Sequence, residues 1–83
     1  MTAIIKDNFA KVLEVNGFDV TTNENGDIEG TLEVKYGNKI EAAFINNSDV
    51  FIIWKPNGTK KFYSGKTYAQ ARNIIMEVIK WWK

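Results

Sequence analysis

Residues 28–46 of the chain, IEGTLEVKYGNKIEAAFIN, decide the fold. Apolar and polar side chains alternate through the first half of this stretch, which is the pattern of a strand with one buried face. Gly37 and Asn38 then supply a tight turn, and the second half continues the alternation. The stretch therefore predicts an antiparallel hairpin. Its expected buried positions are Ile28, Leu32, Val34, Tyr36, Ile40, Ala42 and Phe44.

The next strand, VFIIW at residues 50–54, is apolar on both faces. Such a run is typical of a central strand covered on both sides, or of a strand whose second face meets a partner. If two helices lay on one side of the sheet, this second face would be exposed beside Ala43 and Ile45. If the helices lay on opposite sides, they would bury it. The sequence pattern leaves both arrangements open.

Helical patterns flank the strands. Thr2 is the predicted cap of a first helix that carries apolar residues Ile5, Phe9, Val12 and Leu13, and Asn16-Gly17 is its predicted end. A last helix is predicted from about Tyr68 to Trp82, with Trp81 at the edge of its apolar stripe. The expected core positions of this helix are Tyr68, Ala71, Ile74, Ile75, Val78 and Trp82.

These elements predict one α+β domain spanning residues 1–83. The expected architecture is an antiparallel meander of three to five strands flanked by N- and C-terminal helices, in the order α-β-β-β(-β)-α. Connections this short favour hairpins, since parallel crossovers need a dozen or more residues.

Composition restricts the chemistry of the chain, which has no cysteine and no histidine. The chain therefore cannot form disulfides, thiolate metal sites, imidazole bases or Ser/His triads. No pair of carboxylates lies in an apolar setting that would separate two pKa values, as acid/base catalysis requires. We expect a protein that is not an enzyme and that uses no metal or other cofactor.

Gly65-Lys66-Thr67 looks like the end of a phosphate-binding loop. A P-loop needs its first glycine five positions before Gly65, and the chain has Lys60 there. The motif therefore fails. Thr67 and Gln70 instead have the spacing of a capping box at the start of the last helix.

Nothing at the N-terminus resembles a signal peptide, and no apolar run approaches the roughly 20 residues that span a bilayer. We expect a cytoplasmic protein that does not contact membranes.

Adhesion to another protein is the leading functional hypothesis. The apolar face around residues 51–54 and the edge tryptophan of the last helix are the expected contact surface, since large apolar patches and exposed tryptophans mark interfaces. The predicted partner-binding residues are Phe51, Ile53, Trp54 and Trp81. The partner would be a larger protein or a second copy of the chain. In its small size and its lack of a cofactor, the chain resembles many regulators and inhibitors from phages and mobile elements.

Nucleic-acid binding is the alternative. Residues 1–50 carry a net charge of −5 and residues 51–83 one of +6. Basic and aromatic side chains are interleaved in the second part, a mixture that suits phosphates and bases. The candidate residues are Lys55, Lys60, Lys61, Lys66 and Arg72. The element order loosely resembles that of double-stranded-RNA-binding domains, although "TYAQARN" supplies only Arg72 where that family has a basic run.

Overall fold

A computed structural model of the protein describes residues 6–82, with side chains described from residue 8 onward. The helices are α1 (Lys6–Val15) and α2 (Tyr68–Trp82), and the strands are β1 (Asp19–Thr22), β2 (Ile28–Glu33), β3 (Lys39–Phe44), β4 (Val50–Trp54) and β5 (Lys60–Ser64). The strands form one antiparallel sheet in the order β1-β2-β3-β4-β5. The predicted α+β meander is confirmed. Thr2 and Ile5, the predicted cap and first apolar residue of α1, lie outside the described residues.

The resemblance to double-stranded-RNA-binding domains is weaker in the structure than in the sequence. That likeness depended on the order α-β-β-β-α, whereas this sheet has five strands between its two helices. The last strand is a full hairpin partner of β4, paired over five residues from Lys60 to Ser64.

Both helices lie on the same face of the sheet. Phe9 of α1 has its ring centroid 5.4 Å from that of Phe44 and 5.1 Å from that of Phe51. Ala71 and Ile75 of α2 belong to the same buried cluster. The first of the two arrangements left open by the sequence is therefore correct. Within residues 6–82, neither helix covers the opposite face of the sheet, which we call the open face.

The side-chain alternation of β4 corrects part of the predicted binding surface. Phe51 and Ile53 point toward the helices and are fully buried. Val50, Ile52 and Trp54 point to the open face, because successive residues of a strand face opposite sides. Phe51 and Ile53 are therefore core residues and cannot contact a partner in this fold.

Two other core predictions are wrong for local reasons. β2 ends at Glu33, and Lys35–Gly37 form a 3₁₀ turn in which the N–H of Asn38 donates to the carbonyl of Lys35 at 3.2 Å. Tyr36 adopts a left-handed backbone (φ 61°) within this turn and is 95 % exposed. Tyr68 is also exposed, since it begins α2 at the margin of the core.

The ends of the helices follow the predicted chemistry. Gly17 has φ 90° after α1, and the N–H of Phe18 returns to the carbonyl of Leu13 at 3.0 Å. Before α2, the N–H of Gln70 donates to the Thr67 hydroxyl at 3.2 Å, and the N–H of Thr67 donates to the Gln70 side chain at 2.9 Å. The capping box is confirmed, and with it the structural interpretation of Gly65-Lys66-Thr67.

Neither helix within residues 6–82 has the length and apolar character needed to cross a bilayer.

Candidate functional site

The open face has an apolar centre, which we call the apolar cluster and define as Ala43, Val50, Ile52, Trp54 and Phe62. The strand register explains it: Ala43 pairs with Ile52, and Ile52 pairs with Phe62, so the three side chains form one row across β3, β4 and β5. Ala43 and Ile52 are buried among their neighbours, Val50 and Trp54 are half-buried, and Phe62 is 58 % exposed. The cluster therefore presents apolar surface without a helix above it.

Charges of opposite sign lie on either side of the apolar cluster. Glu41 pairs with Trp54, and Trp54 pairs with Lys60, so one row carries an acid, a tryptophan and a base. The Nζ of Lys60 lies 5.5 Å from the centroid of the Phe62 ring, a cation–π contact. The acidic side extends farther across the sheet. Its carboxylates on the open face are Asp19, Glu29, Glu33 and Glu41, and one base, Lys39, pairs with Glu33 among them.

A groove lies on the other side of the sheet, between the β4–β5 hairpin and the C-terminal half of α2. Its volume is about 810 Å³, within the range of roughly 300–1,000 Å³ that ligand pockets occupy. Its lining mixes three aromatic side chains with two lysines and one acid. The lining residues are Lys55, Asn57, Lys61, Tyr63, Asn73, Ile74, Glu77, Val78, Trp81 and Trp82.

Tyr63 forms part of the wall of this groove and connects it to the core. Its ring stacks on that of Phe51 with a centroid distance of 5.0 Å and an interplanar angle of 18°. The Nζ of Lys61 lies 5.5 Å from the Tyr63 ring centroid. Burial raises the pKa of the Tyr63 phenol, because removal from water disfavours the charged phenolate. Tyr63 is therefore a neutral aromatic wall below alkaline pH.

The four residues predicted to bind a partner do not form one surface. Phe51 and Ile53 are in the core, Trp54 is on the open face, and Trp81 is 78 % exposed on the groove side of α2. Trp54 and Trp81 therefore lie on opposite sides of the sheet and cannot contact the same small epitope.

The predicted basic cluster is divided in the same way. Lys55 and Lys61 line the groove, whereas Lys60 lies on the open face. Arg72 and Trp81 are nine residues apart on α2, which places them about 180° apart around the helix. Arg72 therefore points away from the groove flank of α2. Lys66 lies in the connection between β5 and α2.

Sequence reasoning missed Ile52 and Phe62 as surface candidates, although the signal was present. In β2 and β3, Glu29, Glu33 and Glu41 occupy the alternate positions, which indicates a face that no helix covers. Extending that alternation through the register to β4 assigns Ile52, and not Ile53, to the same face.

The described residues hold no group of three or more side chains suited to bind a metal ion. Comparison with known proteins gives no match to a family model, a curated protein or a solved structure.

Proposed function

We propose that the protein is a non-catalytic protein-binding module and that its open face is the contact surface. The observation that carries this proposal is the apolar cluster, whose outer residues Trp54 and Phe62 lie on a sheet face without a second layer within residues 6–82. Exposed apolar patches rimmed by charge are typical of protein interfaces.

The chemistry of the open face favours a protein over a nucleic acid. Glu29 pairs with Ala43 and Glu41 pairs with Trp54, so two carboxylates lie directly beside the apolar cluster, and carboxylates repel phosphates. A large aromatic side chain such as Trp54 or Phe62 supplies much contact area with few rotatable bonds, which is why aromatic residues are enriched among binding hot spots. A regulator or inhibitor of a larger protein would need no more than such a surface.

We also propose that the protein is cytoplasmic. Small extracellular domains commonly depend on disulfides for stability, and this chain has no cysteine.

Two aromatic substitutions on opposite sides of the sheet test the proposed surface. Phe62→Ala removes exposed apolar area from the open face, and Trp81→Ala removes it from the groove side as a matched control. Partners captured from a lysate by the wild-type protein are purified, and their affinities for the three proteins are compared by calorimetry. We expect Phe62→Ala to weaken binding by about tenfold or more and Trp81→Ala to leave it unchanged. Binding that tolerates Phe62→Ala would refute the proposal.

Nucleic-acid binding through the groove is a second candidate. It is favoured by Lys55 and Lys61, which line the same groove as Tyr63, Trp81 and Trp82. Lysines beside aromatic rings are the elements of single-strand binding sites, where bases stack and phosphates pair with cations. The geometry provides a control, since Lys61 and Lys60 face opposite sides of the sheet.

Lys61→Glu should then weaken retention of a single-stranded oligonucleotide, whereas Lys60→Glu should have less effect. Retention should also fall steeply as the salt concentration rises. Equal effects of the two substitutions would argue against the groove, and no retention at low salt would remove this candidate.

A further inference from the structure

The open face is complementary to itself in charge and in shape. We infer that its partner is a second copy of this chain, bound face to face about a two-fold axis that runs along β4. This inference rests on the proposed function, because it names the occupant of the same surface. An isologous contact of this kind is the commonest form of homodimer.

The strand order determines what such an axis brings together. β3 and β5 lie on either side of β4, so rotation about β4 places β5 of the second copy over β3, and β3 of the second copy over β5. Paired sheets of this type keep their strands within about 30° of each other at a separation of about 10 Å. The two copies of β4 then form the centre of the interface.

Charge complementarity follows from the register. Glu41 and Lys60 lie on the same row, one on each side of Trp54. Within one chain they are two strands apart, or about 10 Å, with Trp54 between them. In the dimer, Glu41 of each copy lies over Lys60 of the other. Symmetry forms this pair twice, and Trp54 meets its own copy between the two pairs.

Shape complementarity follows from the next row. Ala43 and Phe62 flank Ile52, so the rotation sets the smallest apolar side chain of the row against the largest. Phe62 is 58 % exposed in the single chain, and a hollow of about 220 Å³ beside Ala43 and Trp54 of the second copy can receive its ring. Ile52 meets Ile52 of the second copy at the centre.

An axis across the strands does not offer this match. It would place each strand over its own copy and bring β2, whose carboxylates on the open face are Glu29 and Glu33, onto itself. Juxtaposed like charges oppose association. The charge pattern therefore selects the axis along β4.

The expected dimer is weak. Three strands about 4.8 Å apart and five residues at about 3.3 Å each give a patch of a few hundred Å², below the roughly 800 Å² per partner of a standard interface. We expect a dissociation constant between about 1 μM and 1 mM. Self-association should therefore depend on protein concentration.

Charge reversal and mixing test the inference. Sedimentation of the wild-type chain from about 10 μM to about 1 mM should show dimer formation within the expected affinity range. Glu41→Lys and Lys60→Glu each convert two attractive pairs into two repulsive ones, and each should weaken self-association by about tenfold or more. An equimolar mixture of the two variants restores both pairs as attractive ones, so heterodimers should form more tightly than either homodimer. Circular dichroism confirms that each variant is folded.

Nuclear magnetic resonance of the wild-type chain needs no variant. Amide shifts that change with concentration should centre on Ile52, Trp54 and Phe62. Changes centred on Trp81, a mixture that does not restore association, or a wild-type monomer at about 1 mM would each overturn the inference. A monomer whose captured partner is still lost with Phe62→Ala would leave the proposed function intact, because a different protein would then occupy the open face.

Discussion

Ile52 and Ile53 are consecutive residues of β4 that face opposite sides of the sheet, and both are nearly inaccessible to solvent (8 % and 1 % exposed). Their burial has different origins. Ile53 belongs to the cluster between the sheet and the two helices, whereas Ile52 is covered by its neighbours on the open face. One strand therefore supplies both the interior of the fold and the centre of the proposed interface.

The first prediction uses this pair of isoleucines. Ile53→Ala leaves a cavity beneath two helices and should lower the free energy of unfolding by about 2–5 kcal/mol. Ile52→Ala removes the same atoms from the same strand, but its side chain has no second layer above it. We expect Ile52→Ala to lower the free energy of unfolding by less than half as much as Ile53→Ala. Urea unfolding at low protein concentration measures both, and equal losses would mean that the neighbours of Ile52 on the open face pack around it as tightly as the helices pack around Ile53.

The capping box gives the second prediction. Thr67→Ala removes the hydroxyl that accepts from the N–H of Gln70 and should destabilise the protein by about 1 kcal/mol. Thr59→Ala is the matched control, because Thr59 is exposed and its hydroxyl caps no helix. Thermal unfolding should show a clear decrease in Tm for Thr67→Ala alone. Similar decreases for both variants would indicate a general loss on replacing threonine.

Local determinants made much of this fold predictable from the sequence. The hairpin of β2 and β3 depends on alternation and a turn within residues 28–44, and the start of α2 depends on Thr67 and Gln70. In each case, the residues that determine the structure lie close to one another in the sequence. The exception is Tyr36, where alternation predicts burial but the chain turns one residue after Val34.

No single segment of the sequence determines on which side of the sheet the helices pack. Val50–Trp54 is apolar throughout, so the strand alone cannot say whether Phe51 or Ile52 meets the helices. That choice depends on the register between β3 and β4, which relates Ile52 to Ala43. Of the three residues predicted on this strand, Phe51 and Ile53 therefore lie in the core and Trp54 lies on the open face.

The third prediction concerns alkaline pH. Burial raises the pKa of the Tyr63 phenol above the usual value of about 10, so the folded state holds this proton more tightly than the unfolded state. The resulting stability is complete below the unfolded pKa and is lost as pH rises through the folded value. The free energy of unfolding should therefore fall more steeply above about pH 10 in the wild type than in Tyr63→Phe. Tyr36→Phe, at a fully exposed position, should behave as the wild type does.

The last prediction concerns the contact of α1 with the sheet. A Cβ on Gly30 would lie 2.7 Å from Cδ1 of the buried Leu13 and 3.4 Å from Cδ2 of Phe18. Gly30→Val should therefore destabilise the protein by about 1–3 kcal/mol through overpacking. A double-mutant cycle combines a smaller substitution, Gly30→Ala, with Leu13→Ala, which removes the side chain that the new Cβ would contact. The double variant should be more stable than the sum of the single losses implies, by at least about 0.5 kcal/mol.

The same cycle with Thr67→Ala in place of Leu13→Ala should be additive. Thr67 forms its hydrogen bonds within the first turn of α2, and distant sites contribute independently to the free energy of unfolding. Chemical denaturation of the single and double variants measures both cycles. Additivity between Gly30 and Leu13 would show that α1 does not approach β2 as closely as these distances require, since two side chains that compete for one space must be energetically coupled.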